Sequence, residues 1–149
     1  MLRIKTILHP TDFSRHSQAA LEVASALARD YEARLVILHV AQVPVLDGSM
    51  VVDAAITKRD AEALLQALEV PAGIQQVEKR CDMVELGDSD QAIVKVAGEI
   101  QADIIVMGTH GRTGLKRLLL GSIAEHVMRH APCLVLTVSN KAHLTDNPK

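Results

Sequence analysis

Apolar residues along this chain recur at two alternating periods, and the alternation predicts the architecture. Residues 4–8 form a short apolar run containing Ile4, Ile7 and Leu8, ended by His9-Pro10-Thr11-Asp12. Over residues 19–31 the spacing becomes helical, with Ala20, Val23, Ala24, Leu27 and Tyr31 on one face and Ser14 placed as an N-cap. Residues 34–40 make a second run, too apolar to be half exposed. Residues 41–53 hold Pro44, Gly48 and no period, which predicts a flexible loop. A second helix is expected over 54–68, with Ala61, Leu64, Leu65 and Leu68 on one face and Pro71-Ala72-Gly73 ending it. Residues 77–86 predict a third strand, less apolar and so expected at a sheet edge. Asp88-Ser89-Asp90-Gln91 has the form of a capping box before a helix that carries Ile93, Val96, Ala97 and Ile100. A fourth strand over 103–107 runs into Gly108. A short helix over 122–129 and Pro132 precede a fifth strand over 134–138.

Strands that alternate with helices predict a parallel sheet covered on both faces. The near-continuous Val/Ile/Leu runs in the first, second, fourth and fifth strands agree. Right-handed crossovers then favour an α/β domain with an open five-stranded sheet in the order 3-2-1-4-5. In such sheets ligands bind at the carboxyl ends where the winding reverses, here between the first and fourth strands. The segments delivered there are residues 10–14 and the glycine-rich stretch beginning at Gly108.

Composition narrows the class. The 149 residues fit one domain, expected over 1–140 and followed by a polar tail over 141–149. Hydrophobic residues make up 48% and charged residues 23%, which excludes disorder over most of the chain. With 16 Lys+Arg against 18 Asp+Glu the net charge is −2, so there is no long-range pull on nucleic acid. Tyr31 and Phe13 are the only aromatic residues of the Phe, Tyr and Trp kind, too few for a base-stacking platform. No apolar run approaches the roughly 20 residues needed to span a membrane. The first residues lack the pattern of a signal peptide, and Cys81 and Cys133 lack metal-site spacing. These features predict a reduced, cytoplasmic protein with two buried thiols.

The candidate chemistry lies in Gly108-Thr109-His110-Gly111-Arg112-Thr113-Gly114 and in Gly121-Ser122 before the next helix. Glycines let the backbone approach a phosphate closely and let successive N–H groups converge on an anion. A helix starting at Ser122 adds N–H donors and the positive end of its dipole, while Arg112, Lys116 and Arg117 add charge. The stretch suits a di- or triphosphate, although it is neither GxxxxGK[ST] nor GxGxxG. With glycine near 7% of average sequence, a chance match to Gly108-x2-Gly111-x9-Gly121-Ser122 is on the order of a few in a thousand. The alternative is structural: a strand-to-helix turn, then a helix capped by the box Ser122 to Glu125.

The chain resembles the universal stress protein family over about residues 2–139. The resemblance is carried by Ile7-Leu8-His9-Pro10-Thr11-Asp12-Phe13-Ser14, Val106-Met107-Gly108-Thr109-His110-Gly111-Arg112, Gly121-Ser122 and Ala131-Pro132-Cys133-Leu134-Val135. It implies a Rossmann-like fold of the adenine nucleotide alpha hydrolase-like kind. In that family the G-x2-G-x9-G-[ST] pattern marks the ATP-binding branch, which implies ATP, ADP or AMP as ligand, with or without Mg²⁺. Carried over by position, Pro10, Thr11 and Asp12 border the adenosine and the Val40 backbone meets the adenine edge. Met107, Gly108, Gly111, Arg112, Gly121, Ser122 and Ile123 follow as the residues around ribose and phosphates. His9 stands where many members carry a small aliphatic residue; it either touches the nucleotide or fills the strand end. Pairing of the uncharged strand 134–138 with a second copy is implied as well. The function so implied is a stress-response signalling module read through nucleotide occupancy. A weak ATP hydrolase or nucleotidyl-transfer enzyme of the same architecture is one alternative, and an interaction module that binds no nucleotide is another.

Remaining candidates are weaker. Asp12 has three available roles: nucleoside contact, a ligand for Mg²⁺ on the phosphates, or a cap near Ser14. His126 and His130 stand i, i+4 and can chelate zinc, but lack a third ligand at the usual spacing. No nucleophile, base and orienting group stand together at any motif spacing, so no catalytic residue is assigned.

Overall fold

The computed structural model describes residues 1–43, 45–46, 50–51, 54–85, 87–109 and 120–139. Its elements run β1 (Thr6–Pro10), α1 (Arg15–Asp30), β2 (Arg34–Val43), β3 (Val45–Leu46), β4 (Met50–Val51), α2 (Ala54–Ala67), β5 (Val77–Glu85), α3 (Ser89–Glu99), β6 (Ile104–Gly108), α4 (Ser122–His130) and β7 (Leu134–Val138). Five strands pair in parallel in the order β5-β2-β1-β6-β7, the order expected from the alternation of apolar runs and helices. The polar strand β5 is at one edge and β7 at the other.

Side chains of the inner strands alternate between two cores. Ile7, Leu35, Ile37, Ile104 and Val106 pack with Ala20, Leu21, Ala24 and Ala28 of α1 and Leu65 of α2. Leu8, Val36, Leu38, Ile105 and Met107 pack with Ile93, Val96 and Ala97 of α3 and Ala124 and Val127 of α4. Because both faces are covered, every position in these strands gains from being apolar, and the runs lose the polar alternation of a half-exposed strand.

Several boundaries depart from the sequence pattern, each for a tertiary reason. Helix α1 starts at Arg15, directly behind the expected N-cap Ser14, which accepts the Ser17 N–H at 3.2 Å; the apolar period begins only after a first turn that carries no apolar residue. Strand β1 runs on through His9 and Pro10 because both pair with β2, at Ile37 and Leu38. The expected loop 41–53 is partly regular. Strand β2 extends to Val43 because β5 pairs with it as far as Val43↔Glu85, and Val45–Leu46 pairs antiparallel with Met50–Val51. Neither capping box forms. Asp88 is the N-cap of α3 without a side-chain bond, and Ser122 is the first residue inside α4, behind Gly121 at the N-cap. Cys81 and Cys133 are half-buried rather than buried, and desolvation raises both thiol pKa values. Among the described residues no helix is long and apolar enough to cross a membrane.

Candidate functional site

The cleft begins where the sheet stops pairing. Strands β1 and β6 hold register at Ile7↔Ile104 and Leu8↔Ile105 only. Pro10 has no N–H to continue a ladder. The Val106 carbonyl is taken instead by the ring of His9, whose Nδ1 donates at 2.8 Å. His9 is fully buried, its Nε2 has no partner, and burial pushes its pKa from 6.5 to about 4, against the opposing pull of the Val106 bond and of Asp12. His9 therefore fills the strand end and does not line the cleft.

Beyond this split, at the carboxyl ends of β1 and β6, lies a cavity of about 180 Å³. Pro10, Thr11, Asp12, Val40, Met107, Gly108, Gly121, Ser122 and Ile123 all line it. Nine of the sequence-expected residues thus meet at the place the topology indicated. Gly111 and Arg112 lie outside the described residues, as do His110, Lys116 and Arg117. Leu38, Ser89, Ile93 and Ala124 also line the cavity and were missed. Leu38 was within reach, because it shares a strand face with Val40. Nothing in local sequence signals that Ser89 points inward.

The floor at β1 is a tightly bonded turn. The Thr11 N–H donates to the Leu38 carbonyl at 2.8 Å, and His39 Nδ1 donates to the Thr11 carbonyl at 2.8 Å. Ser17 Oγ donates to Thr11 Oγ1 at 2.7 Å. Asp12 Oδ1 accepts the Ser14 N–H at 2.9 Å, so the carboxylate serves the turn as well as facing the cavity. Phe13 carries φ 63°, a left-handed backbone costing an aromatic residue of order 1 kcal/mol or more. It is held there by its N–H bond to Thr11 Oγ1 and by its ring against His39, 4.6 Å between centroids.

The roof is the start of α4. Its first intrahelical bond runs from the Glu125 N–H to the Gly121 carbonyl at 2.9 Å. The amides of Ser122, Ile123 and Ala124 precede that bond, have no side-chain cap at Gly121, and belong to residues that line the cavity. Such a terminus accepts an anion. Gly121 adopts φ −62°, ψ 154°, open to any residue, so no special backbone freedom is required of it. Gly108 has a different reason: a Cβ there would lie 3.0 Å from the backbone of His16, where the start of α1 crosses the end of β6.

Farther out on α4, His126 approaches Asp90 of α3 at 3.2 Å and stacks on His130, with 4.1 Å between ring centroids. Among the described residues no group of three His, Cys, Asp or Glu side chains is arranged to hold a metal ion.

The sequence and the fold have counterparts among known proteins. The family model described as the universal stress protein family matches residues 3–139. The chain belongs to the universal stress protein family. A universal stress protein of Methanocaldococcus jannaschii is 35% identical over 139 residues, 90% of this chain and 81% of that protein. The structure of universal stress protein UspA from Lactobacillus plantarum superposes with a TM-score of 0.74, covering 93% of this chain and 99% of that one at 24% identity. A universal stress protein solved in complex with cAMP superposes with a TM-score of 0.63 at 25% identity, covering 92% of this chain and 98% of that one. In this universal stress protein the family match ends one residue beyond β7.

Proposed function

We propose that the cleft holds an adenine nucleotide (ATP, ADP or AMP) and that the protein acts in stress-response signalling through the occupancy of this site. One observation carries the reading. A single cavity joins an apolar end at Val40, Leu38 and Ile93 to uncapped helix amides at Ser122, Ile123 and Ala124, with Asp12 between them. An adenosine needs the first surroundings and phosphates need the second. The cAMP complex of a family neighbour supports an adenine ligand. In this arrangement the Val40 backbone meets the adenine edge, and Pro10, Thr11 and Asp12 border the adenosine. Met107 and Gly108 lie under the ribose, and the family pattern adds Gly111 and Arg112, outside the described residues, as phosphate contacts. Any Mg²⁺ is carried by the phosphates. The unpaired thiols Cys81 and Cys133 suit a reducing cytoplasm.

Mass analysis of the small molecule released by denaturing the purified protein tests the ligand, with titration of the emptied protein by Mg-ATP beside it. An adenine nucleotide in the first or saturable heat in the second is expected; the absence of both would overturn the reading. Single-turnover incubation with labelled Mg-ATP separates a binding module, which returns ATP intact over an hour, from an enzyme.

The same proposal includes a homodimer. Strand β7 is uncharged, lies at the sheet edge, and leaves Leu134 54% and Leu136 37% exposed. An apolar edge of this kind pairs with another chain unless it is blocked, and a second copy across a two-fold axis covers it symmetrically. Leu136→Lys should halve the mass seen by light scattering, and an unchanged mass would exclude this interface.

A further inference from the structure

Leu38, Val40 and Ile93 line the cavity together with Ser89, and Thr11, Asp12, Ser17 and Thr109 are further polar residues of its wall. Ser89 is the first residue of α3 and only 8% exposed. Behind it stands Gln42, two residues beyond Val40 on β2 and therefore on the same strand face. Gln42 Nε2 donates to Ser89 Oγ at 2.7 Å. This bond occupies one lone pair of the hydroxyl and leaves its O–H as a donor at a site nearly closed to water. A buried hydroxyl of this kind is costly until it finds an acceptor, and a ligand that supplies one is selected over a ligand that does not.

We infer that Ser89, oriented by Gln42, is a base-reading residue of the cleft, donating a hydrogen bond to a ring nitrogen of the purine. The inference rests on the adenine-nucleotide reading above. Position along the sheet decides which part of the ligand Ser89 meets. The order β5-β2-β1-β6-β7 sets β2 two strands away from β6, at whose end α4 offers its amides. A nucleotide with its phosphates on α4 and its base on Val40 therefore brings the base edge, not the phosphates, to Ser89. The purine acceptors are N1, N3 and N7. The apolar walls hold the ring plane, and the hydroxyl supplies a directional contact that those walls cannot. Gln42 is a positioning residue, acting through Ser89 without touching the ligand.

The test compares ATP with its 1-deaza, 3-deaza and 7-deaza analogues, each lacking one ring acceptor, by calorimetric titration of the full chain, Ser89→Ala and Gln42→Ala. In the parent protein the analogue lacking the nitrogen that Ser89 reads should bind about three- to tenfold more weakly than ATP, the loss expected for one neutral hydrogen bond, while any loss at a nitrogen facing the Val40 backbone should persist in Ser89→Ala. Ser89→Ala should bind ATP about as weakly as the parent binds that analogue, and should no longer distinguish the two. Gln42→Ala should show a smaller loss in the same direction. A variant that merely loosened α3 would weaken all four ligands alike and keep their ratios, which would overturn the inference. Equal binding of all four ligands by the parent would overturn it too, while leaving the nucleotide site intact. If the parent binds neither ATP nor any analogue, the reading of the cleft itself falls.

Discussion

Between β2 and β5 the ladder runs unbroken from Leu35↔Val77 to Val43↔Glu85, whereas between β1 and β6 it stops after Ile7↔Ile104 and Leu8↔Ile105. One ion pair, Arg34 with Glu78, crosses the long junction beside its backbone bonds. On β5 itself Arg80 makes a two-pronged contact with Asp82 of the same strand at 2.7 and 3.0 Å and reaches Glu99 of α3 at 3.1 Å, tying the edge strand to a helix. The carboxylates of Asp82 and Glu99 hold the Arg80 guanidinium firmly charged. These charges also make β5 a poor template for a second chain, in contrast to β7. The short junction gives up backbone bonding at Pro10 and buries an imidazole with one unsatisfied nitrogen. In return it opens the cavity. The closed junction is scaffold, and the ligand site is where the sheet's own hydrogen bonding has been relinquished.

The largest expected effect tests the cost of the open junction. Native His9 stays neutral down to about pH 4, whereas in the unfolded chain it protonates near 6.5. The unfolded state therefore binds more protons between these values. Stability from this group is complete above about pH 6.5 and falls as pH drops towards about 4, by about 2–3 kcal/mol. Urea unfolding of the parent and His9→Val at pH 7 and 4.5 reads the difference. The parent should lose that much more than the variant, and identical slopes would show that His9 carries no proton difference.

Next comes Gly121→Val, also at the open junction. Since φ −62° suits valine, folding should survive, and ATP affinity should fall at least tenfold, about 1.4 kcal/mol, through lost ligand space. Calorimetric titration beside a melting curve checks this; undiminished affinity would move the phosphates away from α4. At the closed junction Arg80→Ala should do the reverse. It should lower stability by about 1 kcal/mol and the melting temperature by roughly 2–4 °C, with ATP affinity unchanged. A change in affinity there would mean that the two junctions are coupled. The smallest effect belongs to Ser122→Ala, which removes one hydroxyl beside several amides and should weaken ATP by about two- to fivefold in the same titration.

Local periodicity determined a large share of this protein. The apolar runs set which residues are strands, the absence of polar alternation required both faces to be covered, and strand 134–138 is found where the pattern placed it. The winding rule then located the cavity between β1 and β6, and the spacing of Gly108, Gly121 and Ser122 named part of its wall. These features were legible because burial acts on each residue according to its place in a repeat of two or 3.6. Tertiary structure alone decided the close approach at Gly108, where a Cβ would lie 3.0 Å from the backbone of His16 at the start of α1. It alone decided that His9 seals the split by reaching Val106, and that Gln42 turns Ser89 into the cavity wall. Each of these contacts joins residues far apart in the chain, at distances set by how helices settle on a twisted sheet. No pattern within a single segment encodes that settling.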